Sequence, residues 1–168
     1  MKSGIVIFGI CLLVNLAVTS SENEITTYPE NTPEMEVYRL ILDSPKASFQ
    51  HLADLLVMSQ GEYGKYPDAK SRRERLNELN IYNMTNLQNP ETTQLDRGAL
   101  SKAMMNYFKL DRGMIFFLTG AERYALKDFQ HHGLMQSTYS EWSKISGSQM
   151  IGIFNACEKA QQKKENWG

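Results

Sequence analysis

Two stretches of this chain, about 50 residues apart, carry apolar residues in one register, and that recurrence constrains the fold more than any other feature. Laying Ile145 on Leu95 pairs Met150 with Leu100, Ile153 with Ala103, Phe154 with Met104 and Cys157 with Tyr107. Within each stretch the steps are those of one buried helix face. What leads into each stretch recurs as well: a helical segment, a short turn (Leu79-Asn80-Ile81 or His132-Gly133-Leu134), then a polar loop. A period of this length asks for repeated helix–loop–helix units. The segment from Phe49 fits the same frame as a third, incomplete copy, with Phe49 on Leu100 and Leu52 on Ala103.

Helix starts are well marked. Thr32-Pro33 and Ser44-Pro45 each put a capping hydroxyl ahead of a proline suited to the first helical position. They predict helices over 33–43 and 45–60, the second ended by Gly61. A third, over 68–80, turns Leu76 and Leu79 inward and its arginines outward, so the basic run 70–75 (KSRRER) reads as a solvated face. A fourth follows Asp96. Thr119-Gly-Ala-Glu122 and Ser146-Gly-Ser-Gln149 are capping-box patterns that predict two more starts, the first of these helices ending at Gly133. The run MIFFL at 114–118 reads as a buried connector or one short helix. No segment alternates for long enough to demand a sheet, so the chain is predicted all-α, a small helical bundle.

The N-terminal residues predict export from the cytoplasm. Lys2 precedes GIVIFGICLLVNLAV and the small residues Thr19, Ser20 and Ser21, the pattern of a secretory signal peptide over 1–20. The apolar run is short for a membrane span; an uncleaved anchor and lipidation at Cys11 are the alternatives. The mature protein is expected to be exported (periplasmic, cell-surface or secreted) and not integral to the membrane. Cleavage removes Cys11 and leaves Cys157 alone, so no internal disulfide can form and a core must hold the domain. Residues 21–32 read as a flexible leader, 33–160 as one domain and 161–168 as a frayed tail. The chain has 18 Lys and Arg against 19 Asp and Glu, and this near balance, without a concentrated basic excess, excludes a nucleic-acid surface.

Tyr66-Pro67-Asp68, an alanine and amphipathic helix, LNELNIYN, a loop ending Asn89-Pro90-Glu91, and then LDRGALSKAMMNYFKL together resemble an S-layer homology (SLH) repeat. The similarity covers about 66–110 and, in degraded form, about 122–160. The resemblance implies three repeats packed as a pseudo-threefold helical prism whose grooves bind cell-wall polysaccharide. In that family an arginine at the helix start takes part in binding, and Arg97 is its match. Here Asp96 stands for the usual threonine, Gly98-Ala99 for alanine-glutamate, and Ser146-Gly147 carries no arginine.

The tetrapeptide LDRG occurs twice, at 95–98 and 110–113, in different places of the repeat frame. In the first copy Leu95 points to the core, Asp96 caps the helix and Arg97 lies in its exposed first turn. Asp96 and Arg97 are therefore the candidate binding residues, with a wall polymer or an acidic protein partner as ligand. A cation in the first turn opposes the helix dipole, and such a placement suggests a site. Other chemistry is thin. His131-His132 suits a helix C-terminus, and with the distant His51 it makes no zinc spacing. Cys157 reads as core, the methionines as core filling, the acidic residues as solvated faces, and Asn83-Met84-Thr85 as a sequon that matters only in a glycosylating host. No catalytic residue, metal or cofactor is predicted. The expected function is a non-catalytic envelope-binding module, the alternative a small exported helical enzyme or regulatory protein.

Overall fold

Three helix starts, those after Ser48, Asp96 and Ser146, carry side chains that accept a free backbone N–H, and the three starts meet. The structure is a computed structural model describing residues 24–165; the predicted signal peptide and Cys11 lie outside them. Among the described residues the helices are α1 (Glu34–Asp43), α2 (Phe49–Ser59), α3 (Ala69–Glu78), α4 (Arg97–Tyr107), α5 (Met114–Thr119), α6 (Glu122–His131) and α7 (Gly147–Glu165). One 3-10 turn spans Tyr63–Lys65, and no strand is present among the described residues. The all-α prediction holds.

The segments leading into α2, α4 and α7 exchange backbone hydrogen bonds in cyclic order. Phe49 N–H donates to Thr93 O (3.3 Å), Arg97 N–H to Ser143 O (2.9 Å) and Gly147 N–H to Ser44 O (3.0 Å). Leu95 N–H donates to Ala47 O, and Ala47 N–H to Ile145 O, both at 2.8 Å. Buried backbone groups must find partners, and here each helix start supplies them to its neighbour. Around this junction α2 packs on α3, α4 on α6, and α7 returns to α1, so that α7 closes the ring on α1.

The helix ends repeat in pairs. Gly61 and Lys109 both take positive φ (66° and 49°), with Glu62 N–H reaching Val57 O and Leu110 N–H reaching Met105 O. Asn80 and Gly133 do the same after α3 and α6, with Ile81 N–H on Leu76 O and Leu134 N–H on Phe129 O. These are Schellman-type ends, which satisfy the last helical carbonyls.

Several local expectations are corrected. Helix α2 starts at Phe49 rather than 45, because Ser48 Oγ accepts His51 N–H (3.2 Å) while Ser44 closes α1 and donates to Lys46 O. With Ser48, Asp96 and Ser146 as equivalent caps, Leu52 rather than Phe49 corresponds to Leu100 and Met150, and all three are fully buried. The Thr119 capping box does not form: Thr119 Oγ1 turns back to Ile115 O (2.8 Å), and α6 begins at Glu122 without a side-chain cap. The MIFFL run is a short helix but not a buried one, since only Phe116 is covered. The leader is not free either. Thr26 and Tyr28 pack on the α2 region. Helix α7 continues to Glu165, through the start of the expected tail.

The junction leaves no room at Gly147. A Cβ there would overlap Ile41 O, whereas at Gly152, exposed and on the same helix, it would meet nothing within 4 Å. Gly147→Ala is therefore expected to cost about 1–3 kcal/mol or more, and Gly152→Ala to add up to about 1 kcal/mol through helix propensity. Met104→Ala and Phe154→Ala should each cost about 2–5 kcal/mol as core truncations. Urea denaturation of the four variants checks all of these, and equal effects of the two glycine changes would contradict the close packing at Gly147.

Candidate functional site

Asp96 and Arg97 sit at the junction, but with separate roles. Asp96 accepts Ala99 N–H on Oδ1 (2.8 Å) as the cap of α4, and its Oδ2 lies 4.0 Å from Lys144 Nζ. Arg97 follows it at the first helical position. The expectation of an exposed arginine is overturned, since Arg97 is only 4% exposed. The loop before α7 lies over it: Gly98 N–H donates to Glu141 O, and the Tyr139 ring sits 3.7 Å from the guanidinium carbon. One terminal nitrogen donates to Gln149 Oε1 (3.1 Å), the same amide oxygen that closes the capping box on Ser146 N–H.

The guanidinium lacks what buried cations usually have. Among the described residues no carboxylate lies within ion-pairing range of it, and its buried Nε–H makes no hydrogen bond. Burial pulls its pKa below the usual arginine value, and Tyr139 opposes that pull. An arginine stays charged even so. A desolvated cation with one amide oxygen and one ring face as partners is costly. Among the described residues, Gln149 Oε1 and the Tyr139 ring are the contacts that face this cation.

A second polar cluster was not foreseen in the sequence. Arg72, read there as part of a solvated face, is 1% exposed and donates from Nε to Asp54 Oδ1 at 2.5 Å. Its other bonds go to the carbonyls of Tyr66 and Pro67, both 2.9 Å, and it lies 4.6 Å from the Tyr63 ring centroid. Asp54 also accepts from Gln50 Nε2 (2.7 Å) and from the Tyr28 hydroxyl. Burial, then Asp54, push that phenol far above its usual pKa, so it remains a donor. His51 completes the cluster. Its Nε2–H donates to Thr26 O (2.6 Å), its Nδ1 accepts Ser48 N–H (3.3 Å), and its ring stacks on Tyr28. The available signal was Asp54 itself, a charge on the apolar face of α2 that required a buried cation.

Beside this cluster lies a cavity of about 120 Å³ between the Thr26–Glu30 strap, α2 and α3. The cluster's groups are mutually satisfied, and we read it as structural. Cys157 is buried in the core with its thiol pushed up to about 12 by desolvation. His132 Nε2 lies 2.9 Å from Asp111 O, a carbonyl of the segment between α4 and α5, so its recorded bond ties the end of α6 to that segment. Among the described residues no group of three His, Cys, Asp or Glu is placed to hold a metal ion, and no helix is long and apolar enough to cross a membrane. No family model matches the chain, and no curated protein is similar to it in sequence.

Two predictions follow from the cluster. Asp54→Asn and Arg72→Met should each cost about 3–5 kcal/mol, because each leaves a buried charge uncompensated. The double variant should cost clearly less than their sum, which a double-mutant cycle in urea measures. The second concerns pH. Burial lowers the folded pKa of His51, while the Thr26 carbonyl and Asp54 resist the shift. The unfolded chain then takes up the proton first. Stability is complete above about pH 6.5 and falls as pH drops through that value toward the folded pKa. Urea midpoints at pH 7.5 and 5.5 should differ less in His51→Gln than in the unaltered protein.

Proposed function

We propose that this chain is a non-catalytic exported module of the cell envelope, related in plan to SLH repeats, that binds an acidic group of an envelope polymer through Arg97. One observation carries the reading: Arg97 is a buried guanidinium at the junction of two units, with an unused donor and, among the described residues, no carboxylate partner. Its planar fork matches a carboxylate or phosphate, and an anion brought to it would gain charge-assisted hydrogen bonds in a water-poor setting. The cyclic meeting of three capped helix starts supports the likeness to SLH repeats, whose plan implies three units around one axis.

The other two starts explain why binding centres on Arg97. Phe49 takes its place on α2 and packs on Tyr82 in a tilted ring pair at 5.6 Å, and Gly147 takes it on α7 against Ile41. Neither offers a donor side chain. Access to Arg97 requires Tyr139 to move, so the 139–144 loop is the part of the module that responds to ligand. The N-terminal apolar segment, read as an export signal, supports this reading, since envelope polymers lie outside the cytoplasm.

The test separates binding from folding. Removing a buried charge without a counterion should relieve strain, so Arg97→Met should leave the melting temperature equal or raise it, by about 2–4 °C per kcal/mol relieved. The same variant should lose retention on envelope polysaccharide prepared from the source organism, and carboxyl-reduced polysaccharide should not retain the unaltered protein. A clear fall in melting temperature together with unchanged retention would make Arg97 structural and end the proposal.

A further inference from the structure

Two surface features away from Arg97 have complementary form. The first is α5, a knob six residues long. Its Met114, Ile115, Phe117 and Leu118 side chains are 54–78% exposed. The knob is held in place, since Phe116 is buried, Gly113 N–H donates to Asp128 Oδ2 (2.7 Å) and Gly120 closes the helix at positive φ. Of the exposed cations nearby in the chain, Lys109 and Arg112 precede α5, with the Arg112 guanidinium 5.8 Å from the Phe116 ring centroid, and Arg123 and Lys127 lie on α6, which packs on α5; Asp111 stands between the first two.

The second feature is a groove of about 280 Å³ between α1, α2 and α7. Met35, Tyr38, Met58 and Phe154 give it apolar walls, and Glu34 and Glu158 stand on its rim. It belongs to a different part of the ring from α5, which packs on α6. Large apolar groups exposed together mark a contact surface.

We infer that α5 of one molecule seats in the α1–α2–α7 groove of a second copy of this chain. The knob is apolar and exposed, with cations on the segment before it and on the helix it packs against; the groove is apolar and carries Glu34 and Glu158. A bilayer would cover α5 but leave the groove and Met35 bare, and a separate peptide in the groove would leave α5 bare. One contact between two copies covers both and brings opposite charges together. Because the two surfaces differ, the contact is heterologous: each copy retains a free knob or a free groove, and assembly continues beyond two. Four knob residues make a small interface, so association is weak and grows with concentration.

Sedimentation equilibrium of the purified protein tests this with two variants whose changes lie on the surface. Phe117→Glu/Leu118→Glu removes the knob, and Met35→Lys/Glu158→Lys spoils the groove, with circular dichroism checking that each keeps its helices. The unaltered protein should show an average mass that rises with concentration past the dimer and falls with added salt. Each variant alone should remain a monomer. Mixed in equal amounts they should form a 1:1 dimer and nothing larger, because only one good knob–groove pair remains. The inference is overturned if the unaltered protein stays monomeric throughout, if either variant alone still assembles, or if the mixture fails to pair. Flotation of a monomeric protein with phosphatidylcholine–phosphatidylglycerol vesicles, lost on Phe117→Glu/Leu118→Glu, would instead assign α5 to lipid.

Discussion

The ring of backbone hydrogen bonds joining Ala47, Leu95 and Ile145, and the three residues that open α2, α4 and α7, is the constraint on which the rest of the structure depends. These segments are not helical, so their N–H and C=O groups have no partners within their own element. Burying them is possible only because each start bonds to another. The caps Ser48, Asp96 and Ser146 satisfy the next N–H groups inward. With the starts fixed, the first core layer follows, because Leu52, Leu100 and Met150 lie four residues beyond the three caps and are all fully buried.

The first helical position shows how one backbone plan accommodates different chemistry. Phe49 fills it with a ring, Gly147 with nothing, and Arg97 with a charge. Among the described residues two arginines are buried, and their surroundings differ. Arg72 has a carboxylate, two carbonyls and a ring within reach. Arg97 has one amide oxygen, one ring and an idle donor. The first arrangement is satisfied by its own neighbours, while in the second the Nε–H has no hydrogen-bond partner among the described residues, which is the observation behind the proposed function.

Helix content was legible because caps and apolar spacing are local. Asp68, Asp96 and Ser146 accept backbone N–H groups where their residue types predict, and Gly61 and Gly133 end their helices at positive φ. The Ser44-Pro45 signal misled because Ser48 could also cap and the junction favoured it, which shifted the third copy by three residues. Burial of arginines was not legible. Nothing local distinguishes Arg72 from its neighbour Arg73, which bonds Gln50 and Glu91 nearer the surface; the difference depends on Asp54, eighteen positions away. Arg97 was misread for a similar reason: a first-turn residue is wet by default, and its cover, Tyr139, comes from a loop forty-two residues later.

Amide hydrogen exchange tests the central claim most directly. If the meeting of the three helix starts organises the fold, the amides of Ala47, Phe49, Leu95, Arg97 and Gly147 should open only with global unfolding. They would then exchange as slowly as those in the middle of α4, although none lies in a helix interior. Exchange of these five amides at rates typical of surface loops, while α4 and α7 stay protected, would contradict it and show that the helices stand without the junction.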